Sequence, residues 1–328
     1  MRQAIYLAPR EVRVRESADP DLGPHDVLLR VEMCGICGSD VASYLHGHYA
    51  TPGQVLGHEM SCIVKAVGSE VELAVGTRVA VCPARSCGTC PYCLSNQPGL
   101  CGDSGSMTLG YGVPGGFADL IHYPSPVIGR DLFPVPEGIT ADDLVWAEPL
   151  AVAVRAVRRA LAVLPRDETV HLGVLGAGSV GLCVAATAHQ LGAPHITVIE
   201  PRGQRRAAAA RLGVAVAPSI AEAADSISLV IDSSGSSTAI TSVPVHVPVL
   251  LVGLGGGPVP WPRADVHTSF AYGVDDMATA VEMVAGGQVS LGSLISHRFA
   301  LSDVGRGIEV SASDESAVKV VVIPGAGR

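Results

Sequence analysis

The loop CGTCPYCLSNQPGLC, residues 87–101, limits what this chain can fold into more than any other stretch. It sets Cys87, Cys90, Cys93 and Cys101 in a C-x2-C-x2-C-x7-C run. Four thiolates held about 2.3 Å from one ion close a tetrahedral zinc site. The Gly and Pro of the loop let the backbone fold back to bring them together. All four ligands come from the loop itself, so no coordination position is left for a substrate. The expected site is structural, and the chemistry should lie elsewhere. A disulfide framework is the alternative, but the 9 cysteines do not form the even set of a secreted scaffold.

The opening, MRQAIYLAPREVRV, has no apolar signal core, and no apolar run is long enough to cross a bilayer. A cytoplasmic protein is expected, and in a reducing compartment clustered thiols are metal ligands rather than disulfides. The net charge of −9 disfavours nucleic acid and anionic membranes as partners, since neither attracts an acidic surface. A chain of 328 residues exceeds what one hydrophobic core usually supports, so two domains are expected.

The hydrophobic period changes near residue 150. Before it, short alternating runs broken by Gly and Pro (AIYL, EVRVRE, DVLLRVEM, SCIVKAVG, TRVAVCP) predict the strands of a small barrel-like domain. After it, Ala-rich helical runs alternate with buried apolar strands: LAVAVRAVRRAL, HLGVLG, SVGLCVAATAHQLG, HITVIE, RGQRRAAAARLG, SLVIDSSG and VPVLLVGLG. That alternation predicts a doubly wound parallel sheet, an α/β domain covered on both faces. LISHRFALSD and AVKVVVIP then read as β-structure rejoining the first domain. The expected domains are 1–148 with 288–328, and 149–287.

The second domain carries a nucleotide signal. The strand HLGVLG runs into Gly176, Gly178 and Gly181 of GAGSVG, with Ser179 and Val180 opening the following helix. Glycines at these places allow a tight turn, close backbone approach to a pyrophosphate, and close helix packing. The next strand ends in Glu200, at the distance expected for a carboxylate that binds ribose hydroxyls and repels a 2′-phosphate, which favours NAD over NADP. Arg202, Arg205 and Arg206 follow and pull the other way, because an Arg can hold that phosphate; for Arg206 a solvated helix start is the simpler reading.

The first domain holds a second constellation. Cys37 lies in CGICGSD, His58 and Glu59 in GHE, and Glu148 in WAEPLAVA. Together they offer a ligand set for a zinc ion that keeps a solvent position. Singly, Cys37 reads as a small buried hydrophobe, His58 as a core histidine and Glu148 as a helix cap.

With these motifs in place the chain resembles the zinc-dependent medium-chain alcohol dehydrogenases, in particular their sorbitol or polyol dehydrogenase branch, over nearly its whole length. The resemblance implies a GroES-like β-barrel catalytic domain followed by a Rossmann domain, a catalytic and a structural zinc, and NAD, with NADP as the alternative. It makes Cys37 and His58 ligands of the catalytic zinc, Glu59 a ligand alternating with water, and Glu148 a further ligand or supporting carboxylate. Ser39 takes the place of the hydroxyl that moves the substrate proton, and Asp40 that of the carboxylate behind the ligating histidine. Zinc then acts as a Lewis acid on a substrate hydroxyl, whose carbon gives hydride to the nicotinamide. The implied partners are a small alcohol or ketone and other copies of the chain, as a dimer or tetramer.

Three departures stand out. Where the family often has a relay histidine, three residues after Ser39, this chain has Ala42, with His46 and His48 as possible substitutes. Phe270-Ala271-Tyr272 resembles the Phe-Arg-Tyr of sorbitol dehydrogenases without its substrate-contacting Arg. The stretch from Gly253 to Phe270 is short and Pro-rich, where the family commonly pairs subunits. Ala271, Tyr44 and residues 109–117 are expected to shape the substrate pocket. The functional expectation is an NAD- and zinc-dependent dehydrogenase of a polyol, cyclitol or amino sugar. The alternatives are an NADP-linked carbonyl reductase of a bulkier substrate and a non-catalytic sensor of NAD or zinc.

Overall fold

The computed structural model describes residues 1–165, 169–223, 226–252 and 265–326. The chain divides into two compact units, Met1–Glu148 with Gly273–Arg328, and Pro149–Tyr272.

The first unit begins with the hairpin of β1 (Arg2–Ala8) and β2 (Glu11–Glu16). It continues through β3 (Val27–Gly35), α1 (Gly38–His46), β4 (Glu59–Val67) and β5 (Arg78–Val81). Two single-turn helices, α2 (Pro91–Leu94) and α3 (Ser104–Met107), lie in or beside the cysteine loop. Then come β6 (Leu120–Tyr123), β7 (Leu132–Pro134) and α4 (Ala141–Leu144). The runs read as strands from their alternation all fall on these elements. In β3 the burial is almost continuous; it is a central strand, pairing with β4 along one edge and with β6 along part of the other.

The second unit opens with α5 (Ala147–Ala162), which crosses the boundary. It holds β8 (His171–Leu175), α6 (Ser179–Ala188), β9 (His195–Ile199), α7 (Gly203–Ala210) and β10 (Ala215–Ala217). The second half is β11 (Leu229–Asp232), α8 (Ser237–Ser242), β12 (Val249–Leu251) and β13 (Val266–Thr268). These strands form one parallel sheet in the order β10-β9-β8-β11-β12-β13. Numbered within the unit this is 3-2-1-4-5-6, with the chain reversing direction of travel between β8 and β11, where such folds bind dinucleotides. Residues 253–264, most of the Pro-rich stretch, lie outside the described residues.

The chain returns to the first unit with α9 (Val274–Ala285), β14 (Ile295–Ala300), α10 (Val304–Ser313) and β15 (Lys319–Ile323). The contacts thus place the boundary at Gly273, ahead of the expected 287. The side chain of Asn96, from the cysteine loop, is one of the links that join α9 to the first unit. It accepts from Val274 N at 3.0 Å and donates to Asp275 at 3.1 Å, tying the start of α9 to the first unit. The completed sheet has the order β14-β15-β3-β4-β5-β7, with β6 on β3. Only β14 and β15 are parallel within it. The resulting core includes Tyr6, Leu29, Met60, Phe117, Tyr123 and Val322.

Candidate functional site

In the cysteine loop the sulfur atoms of Cys87, Cys90, Cys93 and Cys101 all lie within 4.8 Å of one another. Cys87 and Cys93 are 3.8 Å apart and Cys90 and Cys93 3.5 Å. Four sulfurs at 2.3 Å from a tetrahedral centre stand about 3.8 Å from each other, so the loop has the dimensions of a zinc site. Their separations suit thiolates around one ion better than sulfurs joined in pairs. Hydrogen bonds from the backbone of Thr89 and Cys90, then from the Thr89 hydroxyl, pull the Cys87 thiol down to about 6, while, against the lowering pull of the Cys93 backbone, burial and the neighbouring thiols push Cys90 up to about 11, so without an ion the cluster shares its protons unevenly.

The second ligand group is assembled by the fold. Cys37 caps the N-terminus of α1 with extended backbone, and Asp40, three residues on, turns back so that its Oδ2 accepts from Cys37 N at 2.9 Å. Asp40 Oδ1 accepts from Gly57 N at 3.2 Å, so one buried carboxylate fastens both segments that carry ligands. Burial raises the Asp40 pKa, against the lowering pull of His58 and the two amides. The imidazole Nδ1 of His58 stands 3.8 Å from Asp40 Oδ1, beyond hydrogen-bond length, so Asp40 acts on His58 through the amide of Gly57, the residue before it, rather than by gripping the ring.

Ligand atoms of Cys37, His58 and Glu59 all lie within 4.8 Å of one another. Glu148, in the first turn of α5, stands outside this group. Two buried polar atoms, His58 Nδ1 and Glu59 Oε1, have no hydrogen-bond partner among the described residues. Burial opposes a charge on His58, yet Tyr111, Asp40 and Cys37 hold its pKa well above the usual imidazole value. Thiol, imidazole and carboxylate, converging in a place that favours positive charge, fit a zinc ion.

Two residues of this site escaped the sequence reading. Lys319, on β15, is fully buried, and its Nζ pairs with Glu59 Oε2 while lying 4.9 Å from the centre of the Trp146 ring. A Cβ on Gly35 would come within 2.1 Å of that carboxylate oxygen, so the pair depends on a glycine opposite Glu59 in the ladder. The sequence signal was a lone Lys in the otherwise apolar AVKVVVIP. The other is Tyr111, whose hydroxyl donates to Ser39 Oγ at 2.6 Å and whose ring centre is 5.3 Å from that of His58. It fell inside the stretch 109–117 expected to shape the pocket, but nothing in its spacing marked it.

Other expectations place differently. Tyr44 is a core residue whose hydroxyl donates toward Arg10 O and Glu309, so it does not shape a pocket. His46 and His48 sit on the exposed end of α1, rings 5.6 Å apart. Ala271 adopts the left-handed region at φ 51°, and Phe270 is exposed.

In the second unit the glycine loop leaves β8 as expected. Gly176 has φ +90°, and a Cβ on Gly181 would sit 1.9 Å from the Gly176 carbonyl oxygen, so the helix can approach the strand only without a side chain there. A Cβ on Gly178 would meet nothing within 4 Å, leaving room above the start of α6 for a phosphate. Glu200 is buried. Its Oε2 accepts from Ala177 N at 2.8 Å and its Oε1 from Arg202 N at 2.9 Å. The carboxylate thereby fixes the glycine loop and retains lone pairs for further donors. Burial, followed by Arg202, lowers the pKa of Arg205. Arg206 donates back to the carbonyls of Glu200 and Pro201, the helix-start role expected of it.

Comparison with known proteins points one way. A profile of the alcohol dehydrogenase GroES-like domain matches residues 23–137. An L-idonate 5-dehydrogenase of Vitis vinifera is 30% identical, the match covering 97% of this chain and 93% of the relative. A sorbitol dehydrogenase of Arabidopsis thaliana is 31% identical, over 92% and 89%. Among solved structures, the alcohol dehydrogenase TADH from Thermus sp. ATN1 superposes with TM-score 0.83 at 29% identity, over 98% of this chain and 99% of that one.

Proposed function

Because the chain belongs to the zinc-dependent medium-chain alcohol dehydrogenases, in their sorbitol- and polyol-dehydrogenase-like branch, we propose that it passes hydride from a polar secondary alcohol to NAD, at the site built from Cys37, His58 and Glu59. Membership makes it a zinc-dependent polyol oxidoreductase that uses a nicotinamide coenzyme. The reading goes further in naming NAD, in counting two zinc ions per chain, one for each ligand group, and in assigning residues. The observation that carries it is the convergence of a thiol, an imidazole and a carboxylate within 4.8 Å.

Bound there, zinc would supply Lewis acidity to a substrate hydroxyl while the nicotinamide accepts hydride. Cys37 and His58 would hold the metal. Glu59, paired on one oxygen with Lys319 and unpaired on the other, is the ligand that can come and go. Glu148 is the candidate for the remaining position or for a supporting carboxylate. Asp40 keeps the two ligand segments in register, and Ser39 moves the substrate proton. In the second unit the backbone of Gly176, Gly178 and Gly181, with Ser179 and Val180, receives the pyrophosphate. Glu200 takes the ribose hydroxyls and disfavours a 2′-phosphate, with Arg205 beside it. The free thiols suit a reducing, cytoplasmic compartment. A homo-oligomer is proposed from the resemblance.

Polyols, cyclitols and amino sugars are the substrate classes to try, because Ala271 stands where sorbitol dehydrogenases present an Arg. Neither the carbonyl reductase nor the sensor alternative is favoured by relatives that are polyol dehydrogenases. The test is a panel of such alcohols with NAD and with NADP, followed by absorbance of the reduced coenzyme, alongside zinc stoichiometry. Turnover with NAD is expected, and Glu200→Ala should narrow the preference over NADP by roughly 10-fold, about 1.4 kcal/mol. Full-rate turnover by folded protein stripped of zinc would sink the reading.

A further inference from the structure

We infer that Tyr111 is the second member of a proton relay that runs from the substrate oxygen through Ser39, in place of the histidine absent at Ala42. The inference rests on the dehydrogenase reading and deepens it. Ser39 is the second residue of α1, two positions beyond the proposed ligand Cys37. A serine hydroxyl that takes a proton from the substrate must release its own. Ala42 has no atom that could receive it. The contact Ser39 does make is with Tyr111, whose phenol donates to Ser39 Oγ at 2.6 Å.

The phenol is carried by a loop that is bonded to itself and to Pro83 and packed against Gly57, the residue before His58. Leu109 N donates to Pro83 O at 3.0 Å, Tyr111 N to Thr108 O at 3.2 Å, and Gly110 N to Val113 O at 2.9 Å. Gly110, at φ +85°, lies so close to Gly57 that a Cβ on it would be 2.8 Å from the Gly57 carbonyl oxygen. Gly57 immediately precedes His58 and is itself bonded to Asp40. A loop packed this tightly on the ligand-bearing turn fixes the distance from phenol to serine. Tyr111 is partly exposed and flanked by the exposed Gly112. The residue thus has an inner partner, Ser39, for its hydroxyl and an exposed edge along which the relay requires water to enter.

The proton count closes without an ion left behind. In the reducing direction Ser39 gives its proton to the substrate oxygen and takes one from Tyr111, and Tyr111 takes one from a hydronium ion or buffer acid of the solvent. In the oxidising direction each transfer reverses after the two hydroxyls turn, and the proton leaves to solvent. Each oxygen loses one proton and gains one, so neither residue needs to ionise. The resting orientation, Tyr111 donating to Ser39, is the one poised for delivery to substrate.

Tyr111 acts through Ser39 and is a positioning and relay residue. The variant Tyr111→Phe removes one oxygen and keeps the ring against His58. It should lower kcat by about 10- to 100-fold, less than the ~10²–10⁴ of a direct general acid or base. KM for the alcohol, coenzyme affinity and zinc content should hold within about 2-fold, since the variant touches neither ligand nor coenzyme. The solvent deuterium isotope effect on turnover should change in Tyr111→Phe, which a packing role would not produce. In the Ser39→Ala background, Tyr111→Phe should cost nothing further, because a relay already broken cannot be broken again. Wild-type turnover matched by Tyr111→Phe, or a penalty that multiplies with Ser39→Ala, overturns the relay while leaving the dehydrogenase reading intact. A wild-type protein with zinc and coenzyme bound that oxidises no alcohol overturns both.

Discussion

The two sulfur-bearing sites of the first unit differ in where their geometry comes from. In the 87–101 loop four like ligands come from one short segment, three of them half-exposed, ordered by the one-turn helix α2, by backbone and Thr89 hydroxyl donors, and by the Asn96 side chain that ties the loop to α9. The Cys37, His58 and Glu59 group joins the end of β3, the cap of α1 and the start of β4, and leans on Lys319, 260 residues away from Glu59 in sequence. A loop of the first kind has little to hold it except the ion, so metal binding is folding energy there. A group of the second kind is held by the sheet whether or not a metal is present, and its unlike ligands leave room for a substrate oxygen.

The largest expected effect separates the two by exchanging their losses. Cys37→Ala should reduce turnover by at least about 10³-fold, the worth of several kcal/mol of Lewis-acid stabilisation. It should release one zinc and leave the thermal midpoint nearly unchanged. Cys93→Ala should release the other zinc, make the loop susceptible to proteolysis and lower the midpoint, while folded molecules retain turnover. Zinc analysis, limited proteolysis and a thermal scan on both variants decide it. Equal loss of stability in the two variants would break the comparison.

A second effect tests the claim that the sheet holds the catalytic group. Lys319→Met leaves Glu59 buried without its cation, and breaking a buried pair costs about 3–5 kcal/mol. Converting both partners, Glu59→Gln with Lys319→Met, should recover most of that, because no unpaired charge remains. Urea unfolding monitored at Trp146, which packs against Lys319, measures both. A single variant as stable as wild type would mean that Glu59 already finds its counter-charge in the metal, and that the ion rather than the sheet organises this site.

The same contrast governs how much could be read from the residues alone. The loop was legible because its four ligands are close in sequence and their spacing has few other uses. The parallel sheet was legible because strand and helix periods alternate plainly from HLGVLG onward, and Gly176 and Gly181 occupy the positions their steric limits demand. Cys37 and His58 could be joined only by resemblance, since their proximity is made by β3–β4 pairing and by the Asp40 carboxylate reaching two amides. Lys319 and Tyr111 were missed for the same reason. Each comes from a segment whose own pattern says strand or loop, and their partners are fixed by tertiary packing. The helix α10 was also unforeseen, because its sequence VGRGIEVSAS carries two glycines that weaken the helical signal. The early end of the second unit was equally hidden, because links such as the Asn96 side chain, which ties α9 to the cysteine loop, join segments far apart in sequence.

The smallest effect concerns the few donors the loop does have. Cys87 titrates at about 6, below the ordinary 9.0, because it accepts hydrogen bonds from the Thr89 and Cys90 backbone and then from the Thr89 hydroxyl, which lies 3.7 Å from the sulfur. A thiol depressed in this way favours the ordered loop fully above its unperturbed value, and that advantage disappears as the pH falls through about 6, where protons compete with zinc. Thr89→Val removes only the hydroxyl, leaving both backbone contacts. The midpoint should move upward from 6 toward 9, and zinc affinity near neutral pH should fall by no more than about 10-fold, the low end for a ligand's supporting hydrogen bonds. Chelator competition at a series of pH values reads both changes, and Cys37→Ala protein, carrying only the loop site, isolates them from the other metal. An unchanged pH profile would show that the backbone alone sets the thiolate, and the loop would then owe more of its order to its own chain than the comparison allows.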